Sequence, residues 1–169
     1  MEFSTPFIFH RYHGAMPHLH EKIDFTVSIF IVKDQKVLFI FHKQLNRWLP
    51  IGGHIELDEN PEQAALREAK EESGLDVELV GERPPLEKED GFMPLLQPAY
   101  MDIHRIKEPH WHIGMVYFAR VKSGKVTLNT EEHHDIQWLG EKDLDDPKWN
   151  LYANLKFYAR EALKKITNE

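Results

Sequence analysis

Seven residues between Gly53 and Leu75 carry the clearest chemistry in this chain. Gly53, Glu59, Arg67, Glu68, Glu71, Glu72 and Gly74 fall in the order G-x5-E-x7-R-E-x-x-E-E-x-G. Asn60-Pro61-Glu62-Gln63 reads as a helix start, because Asn caps, Pro suits the first helical position and Gln three residues on reaches back to the cap. Gly74 is the expected left-handed stop, so the spacing predicts a helix from about Pro61 to Ser73. At about 100° per residue, Glu68, Glu71 and Glu72 share one stripe, while Ala65, Leu66 and Ala69 form the neighbouring core face. The carboxylates crowd the last turn, where the helix dipole is negative and each anion costs roughly 0.3–1 kcal/mol, and Glu68 repels Glu72 at i, i+4. Arg67 is expected to offset one of these charges, through Glu71. The missing partner is therefore a divalent cation, and carboxylate oxygens are the ligands that magnesium and manganese prefer.

A solvated acidic helix face is the ordinary explanation of such a run. Against it stand the seven identities, the apolar residues Ala69 and Leu75 at fixed places among them, and the Gly52-Gly53 turn ahead of the helix. This spacing resembles the signature of the Nudix hydrolases, with every identity present. Trp48-Leu49-Pro50-Ile51-Gly52-Gly53 is similar to the strand and turn that lead into that signature, except that Ile51 stands where Pro is common and Pro50 lies one place earlier.

The resemblance implies an α/β fold, an α/β/α sandwich with a mixed β-sheet. It also implies a hydrolase in which cation-activated water attacks phosphorus in a nucleoside diphosphate linked to another group. Carried over residue by residue, Glu68, Glu71 and Glu72 match the metal-binding glutamates and the carbonyl of Gly52 matches a backbone ligand, together holding one to three Mg2+ or Mn2+ ions. Arg67 is expected to orient a glutamate, and Glu59 to support the loop or an outer water. The family places its general base either on the signature helix, matching Glu68, or on a later loop, where Glu132 is preferred and Glu131 adjoins it. Isopentenyl diphosphate isomerases share the fold but need an active-site cysteine, which this chain lacks.

Composition fits one domain spanning residues 1–169, with an N-terminal extension over 1–22, the signature at 53–75 and a C-terminal helix over about 150–166. The chain has 169 residues and 41% apolar content, enough for a sizeable core, and no composition shift marks a second unit. A formal net charge of −7 disfavours nucleic-acid duplexes and anionic membranes. With no Cys there are no disulfides and no thiolate chemistry. The N-terminal MEFSTPFIFHRYHGAMPHLHEK lacks the pattern of a secretory leader, so the expected location is cytoplasmic. The expected partner is a small nucleotide, with a homodimer left open.

Ile23 to Lys33 and Lys36 to His42 read as a hairpin joined at Asp34-Gln35. Short strands are expected at Gly52 to Glu56, Val77 to Val80 and Ile136 to Leu139, with longer ones at Tyr100 to Ile106 and Trp111 to Val121. Leu151, Leu155, Tyr158, Ala162 and Ile166 repeat at helical spacing, which predicts a helix over Asn150 to Lys165.

The stretch from Arg83 to Pro109 holds five of the ten prolines and reads as a loop. Phe92, Met93, Leu95, Leu96 and Tyr100 offer apolar groups that either stack on a base or tack the loop onto the core. Among the eleven histidines, His10, His13, His18 and His20, the pair His110 and His112, and His133-His134 do not show the tight paired spacing of a structural zinc site, so none is read as one. His110 and His112 share a strand face, near phosphate or in a satisfied core. His54 follows the glycine turn and is the histidine expected nearest the metal, donating to phosphate. His54, Tyr100 and His112 are thus the expected substrate-binding residues. The offsets at which ADP-ribose and dinucleoside polyphosphate hydrolases carry Pro or Tyr show neither, Gly91 standing at the first. A nucleoside triphosphate or related nucleotide remains as the expected substrate. The rival readings are a noncatalytic nucleotide-binding regulatory module of the same fold and an interaction domain with a calcium-stabilised acidic helix.

Overall fold

The computed structural model describes residues 22–167. His10, His13, His18, His20 and nearly all of the N-terminal extension lie outside them.

Strands β1 (Ile23–Lys33) and β2 (Lys36–His42) form the expected hairpin. Asp34 and Gln35 both take positive φ, 48° and 57°, the backbone of a two-residue turn whose twist suits the flanking strands. Short strands β3 (Arg47–Leu49) and β4 (Ile51–His54) follow, then helix α1 (Pro61–Ser73) and β5 (Asp76–Val80). Strands β6 (Tyr100–Lys107), β7 (His110–Ser123) and β8 (His133–Gly140) complete one eight-stranded mixed sheet. β1 runs parallel to β7, while β1 with β4, β2 with β8, and β6 with β7 are antiparallel.

α1 occupies its expected span because both ends are specified locally. The Asn60 side chain accepts from the N–H groups of Glu62 and Gln63 at 3.0 and 3.1 Å, and Gln63 Oε1 accepts from Asn60 N–H at 2.9 Å. Such a cap contributes about 1 kcal/mol. Gly74, at φ 70°, ends the helix. The C-terminal helix α2 (Ala153–Thr167) begins later than its periodicity predicts. Two single 3-10 turns, Asp143–Asp145 and Pro147–Trp149, precede it, and Asn150 is left-handed at φ 45°, which no helix can propagate through.

Two apolar clusters cover the two faces of the sheet. Val27, Ile29 and Ile31 of β1 meet Ala64, Ala65 and Ala69 of α1 on one face. Phe30 and Val32 meet Leu155, Tyr158 and Ala162 of α2 on the other. This is the period-2 alternation of a strand buried on both sides, and it produces an α/β/α sandwich. Leu66 is not the core residue expected of it: it is exposed, and Ala64 takes its place against the sheet. Small residues at 64, 65 and 69 let α1 approach the strands closely, which brings its carboxylates to the sheet as well.

Candidate functional site

Glu72 ends the apolar stripe of α1 and is itself buried, 4% exposed. Its Oε2 accepts from the N–H of Gly52 at 2.9 Å, and its Oε1 lies 2.7 Å from Nε2 of His133, which is fully buried. Glu68 lies one turn earlier, against Gly53. A Cβ at Gly53 would fall 2.2 Å from Glu68 Oε1, and one at Gly52 would fall 2.1 Å from the Val27 carbonyl on β1. The glycine pair is thus needed for two close approaches: one lets β4 lie on β1, the other admits the carboxylate.

Arg67 organises the opposite flank. Its guanidinium donates to Glu59 at 2.6 and 3.0 Å, to Glu68 Oε1 at 2.8 Å, to Glu71 Oε2 at 3.2 Å and to the carbonyl of His54 at 3.0 Å. The expectation that Arg67 offsets one charge through Glu71 therefore needs correcting: it bridges three carboxylates, because Glu59 folds back from the loop and Glu68 lies beside its own neighbour. Burial lowers the Arg67 pKa, but the bonds to Glu59 and the charge of Glu68 more than reverse this and hold it firmly protonated. Glu59 also accepts from Glu56 N–H at 2.9 Å, which closes the loop between β4 and α1.

Burial pushes the Glu68 carboxyl up to about 8, with the charge of Glu72 adding to it and Arg67 opposing. Burial likewise raises Glu72 to about 8, against the lowering effect of the Gly52 hydrogen bond and with a further push from Glu132. Two carboxylates pressed together in a dry site favour protonation or a shared cation. Glu71 is the more open of the set, its side chain 58% exposed.

The loop before β8 brings Glu132 to this cluster. Glu72, Glu132 and His133 each offer a ligand atom within 4.8 Å of the others. The Glu132 carbonyl accepts from Lys43 N–H at 3.1 Å, and Lys43 Nζ donates to the carbonyls of Thr130 and Glu131, which ties the turn to the end of β2. Glu131 is held in the turn by its backbone, its N–H donating to Asn129 Oδ1 at 3.1 Å. The sequence reading missed the contribution of His133. Ile136 and Trp138 face α1, so strict alternation would turn His134 inward. A register shift opposite Phe41 and His42 turns His133 inward instead. Burial depresses the His133 pKa, so the ring is neutral, and in its Nε2–H tautomer it donates to the ionised Glu72 carboxylate.

The residues expected to bind substrate lie elsewhere. Because Gly53 faces Glu68, its neighbour His54 faces away, toward the α2 side of the sheet, where Nε2 lies 3.5 Å from Asp24 Oδ2. His112 is buried beside it, ring centroids 4.8 Å apart. Burial and the neighbouring imidazoles of His54, His104 and His110 hold the His112 pKa down to about 4. Tyr100 packs against Tyr158 and Phe118 in the α2 cluster and donates to Glu161 at 3.2 Å. The geometry thus brings Glu68, Glu71, Glu72, Arg67, Glu132 and the Gly52 backbone together, and leaves the rings of His54, Tyr100 and His112 on the other face.

The proline-rich loop is fastened to the start of α1. Glu62 accepts from Leu96 N–H at 2.6 Å and from Arg83 at 2.6 Å, and Arg83 also donates to the Pro94 carbonyl. Leu96 enters the core, while Phe92 and Met93 remain exposed.

The NUDIX domain family model matches residues 22–160. The chain belongs to the Nudix family. A Nudix-family hydrolase of known structure from Clostridium perfringens is 35% identical with a TM-score of 0.72, the match covering 85% of this chain and 97% of that one. An Ap4A hydrolase from C. elegans, 17% identical with a TM-score of 0.64 over 86% of this chain and 99% of its own, shares the Nudix fold. An m7GpppN-mRNA hydrolase from Xenopus laevis is 37% identical over 79 residues. That match covers 47% of this chain and spans only about a quarter, 26%, of the frog protein. No helix among the described residues is long and apolar enough to cross a membrane.

Proposed function

We propose that this chain hydrolyses a phosphoanhydride bond in a nucleoside diphosphate linked to another group, with a nucleoside triphosphate or a related nucleotide as substrate. The observation that carries the reading is the convergence of Glu68, Glu72 and Glu132 from α1 and the β8 loop beside the Gly52-Gly53 turn. Glu68, Glu71 and Glu72 with the Gly52 carbonyl make an all-oxygen donor set, the Nε2 of nearby His133 being engaged with Glu72, and such a set fits Mg2+ or Mn2+ and suits softer ions less well. Glu68, Glu71, Glu72 and the Gly52 carbonyl would hold the ions, which when bound supply charge neutralisation for pyrophosphate and activation of water.

The chain's own residues do the rest. Arg67 fixes the Glu68 carboxylate and keeps Glu71 beside it. His133 donates to one oxygen of Glu72 while Gly52 N–H donates to the other, leaving that side chain a single orientation. Glu132, exposed at the edge of the cluster, is the preferred general base: it reaches solvent, where the attacking water enters, and it spends no hydrogen bond on a structural partner in the helix. Glu68 is the second assignment. Phe92 and Met93, exposed on the loop tethered to Glu62, are available to a nucleobase.

The test is a turnover screen with millimolar Mg2+ or Mn2+ against nucleoside triphosphates, ADP-ribose, dinucleoside polyphosphates, capped RNA and nucleotide sugars. Phosphate or pyrophosphate release from at least one is expected. Silence across the panel, with metal binding demonstrated, would replace the hydrolase by a nucleotide-binding regulatory module.

A further inference from the structure

On the α2 face, beyond the apolar cluster, β1, β4, β6 and β7 bring a second set of titratable side chains together. Asp24 is the one charged residue inside the apolar run of β1, and it is fully buried. In the parallel register it lies opposite His112, and His104 of β6 lies opposite the same residue from the other side. His110, two residues earlier on β7, shares that face and is 3% exposed, and Nε2 of His110 lies 3.3 Å from Asp24 Oδ2. The ring of His112 lies 4.8 Å from that of His54, 5.1 Å from that of His110 and 5.6 Å from that of His104.

A carboxylate that accepts from one or two imidazoles is a common buried arrangement. It does not account for His112, which is 6% exposed and whose Nε2 is buried with no hydrogen-bond partner among the described residues. Leaving such an atom unsatisfied costs about 1–3 kcal/mol. Asp24, His110 and His112 each present one ligand atom within 4.8 Å of the others. Tetrahedral coordination at about 2.0–2.1 Å sets neighbouring ligand atoms roughly 3.4 Å apart, close to the 3.3 and 3.5 Å that separate Asp24 Oδ2 from His110 and His54.

We propose that Asp24, His110 and His112, with His54 as the fourth ligand, form a binding site for a transition-metal cation of the zinc class, separate from the carboxylate cluster at α1. Imidazole donors select zinc-like ions, whereas the all-oxygen set on the other face selects magnesium or manganese. The site clamps the first residues of β1 and β7 to each other and to β4. It also fixes the ring of His54, whose carbonyl holds Arg67, so the ion steadies the strand on which Glu68 and Glu72 rest. His104, hydrogen-bonded to Asp102, which in turn accepts from Tyr158, braces the outer side of the cluster.

The test uses the full chain with His10, His13, His18 and His20 replaced by Ala, so that the N-terminal histidines do not compete. Zinc is titrated in the presence of excess Mg2+. One equivalent is expected to bind, with affinity within about threefold of the same value in Glu72→Gln and weaker by about 100-fold or more in His110→Ala and His112→Ala. Unchanged zinc binding in both histidine variants, or its loss in Glu72→Gln, would overturn the proposal. Anomalous diffraction at the zinc edge from crystals of the unmutated chain decides the matter without any variant. A peak between Asp24, His110 and His112 supports the site, and a peak confined to Glu68, Glu71 and Glu72, or none, refutes it.

Discussion

Without a divalent cation, the protein should lose stability as the pH rises from 6.5 to 8. Glu68 and Glu72 are held up to about 8 in the folded state, against an unfolded value near 4.5. For a group raised on folding, the stability it contributes is complete below the unfolded value and disappears as pH passes through the folded one. Above pH 6.5 the unfolded carboxyls are ionised, while the folded pair still retains a proton. His42, His112 and His133, whose folded values are lowered, act in the opposite direction until pH is about one unit above their unfolded value of about 6.5, so they offset part of the loss at the start of this interval and none of it near pH 8. A single retained proton is worth about 2 kcal/mol over this interval. That corresponds to roughly 4–8 °C in melting temperature for a chain of this size. Glu68 and Glu72 repel one another, so the second proton adds less than the first. The assay is thermal unfolding in chelator at half-unit pH steps, repeated with millimolar Mg2+ and in Glu72→Gln. Magnesium should flatten the slope by replacing the proton, and should raise the melting temperature most at pH 8. Glu72→Gln should flatten it too, because the amide has no charge to lose and Glu68 is freed of its neighbour. A chelated wild type that holds or gains stability from pH 6.5 to 8 would refute the reasoning, as would a Glu72→Gln protein with an undiminished slope.

Three further outcomes are expected. Glu132→Gln should lower turnover about 10²–10⁴-fold with metal affinity nearly intact, whereas Glu68→Gln should weaken both; rate against Mg2+ concentration separates them, and full activity in Glu132→Gln moves the base to Glu68. Gly53→Ala places a methyl group on the Glu68 carboxylate and should weaken Mg2+ binding by roughly 10–100-fold, as read by calorimetry; wild-type affinity would mean that Glu68 is not a ligand. Tyr100→Phe removes only a bond to Glu161 on the α2 side, so KM should stay within about twofold while stability falls by about 0.5–1.5 kcal/mol; a large rise in KM would return Tyr100 to the substrate site.

The sequence by itself determined the elements whose causes are local. Asn60, Gln63 and Gly74 specify both ends of α1 through bonds made within a few residues, and Asp34-Gln35 sets the β1–β2 hairpin through its own backbone. The carboxylate stripe was legible because helical spacing alone aligns Glu68, Glu71 and Glu72. What tertiary structure decided were the contacts made across strands. The side on which a strand residue points depends on register, so His54, adjacent to a glycine that meets Glu68, faces away from it, and a shift opposite His42 turns His133 rather than His134 onto Glu72. Arg67 could be paired with Glu71 from spacing alone, yet its stronger bonds run to Glu59, because the loop folds back over the helix. Asp24 gave only the signal of one charge in an apolar strand. Its partners come from β4 and β7, distant in sequence, and only the parallel pairing of β1 with β7 sets His112 opposite it.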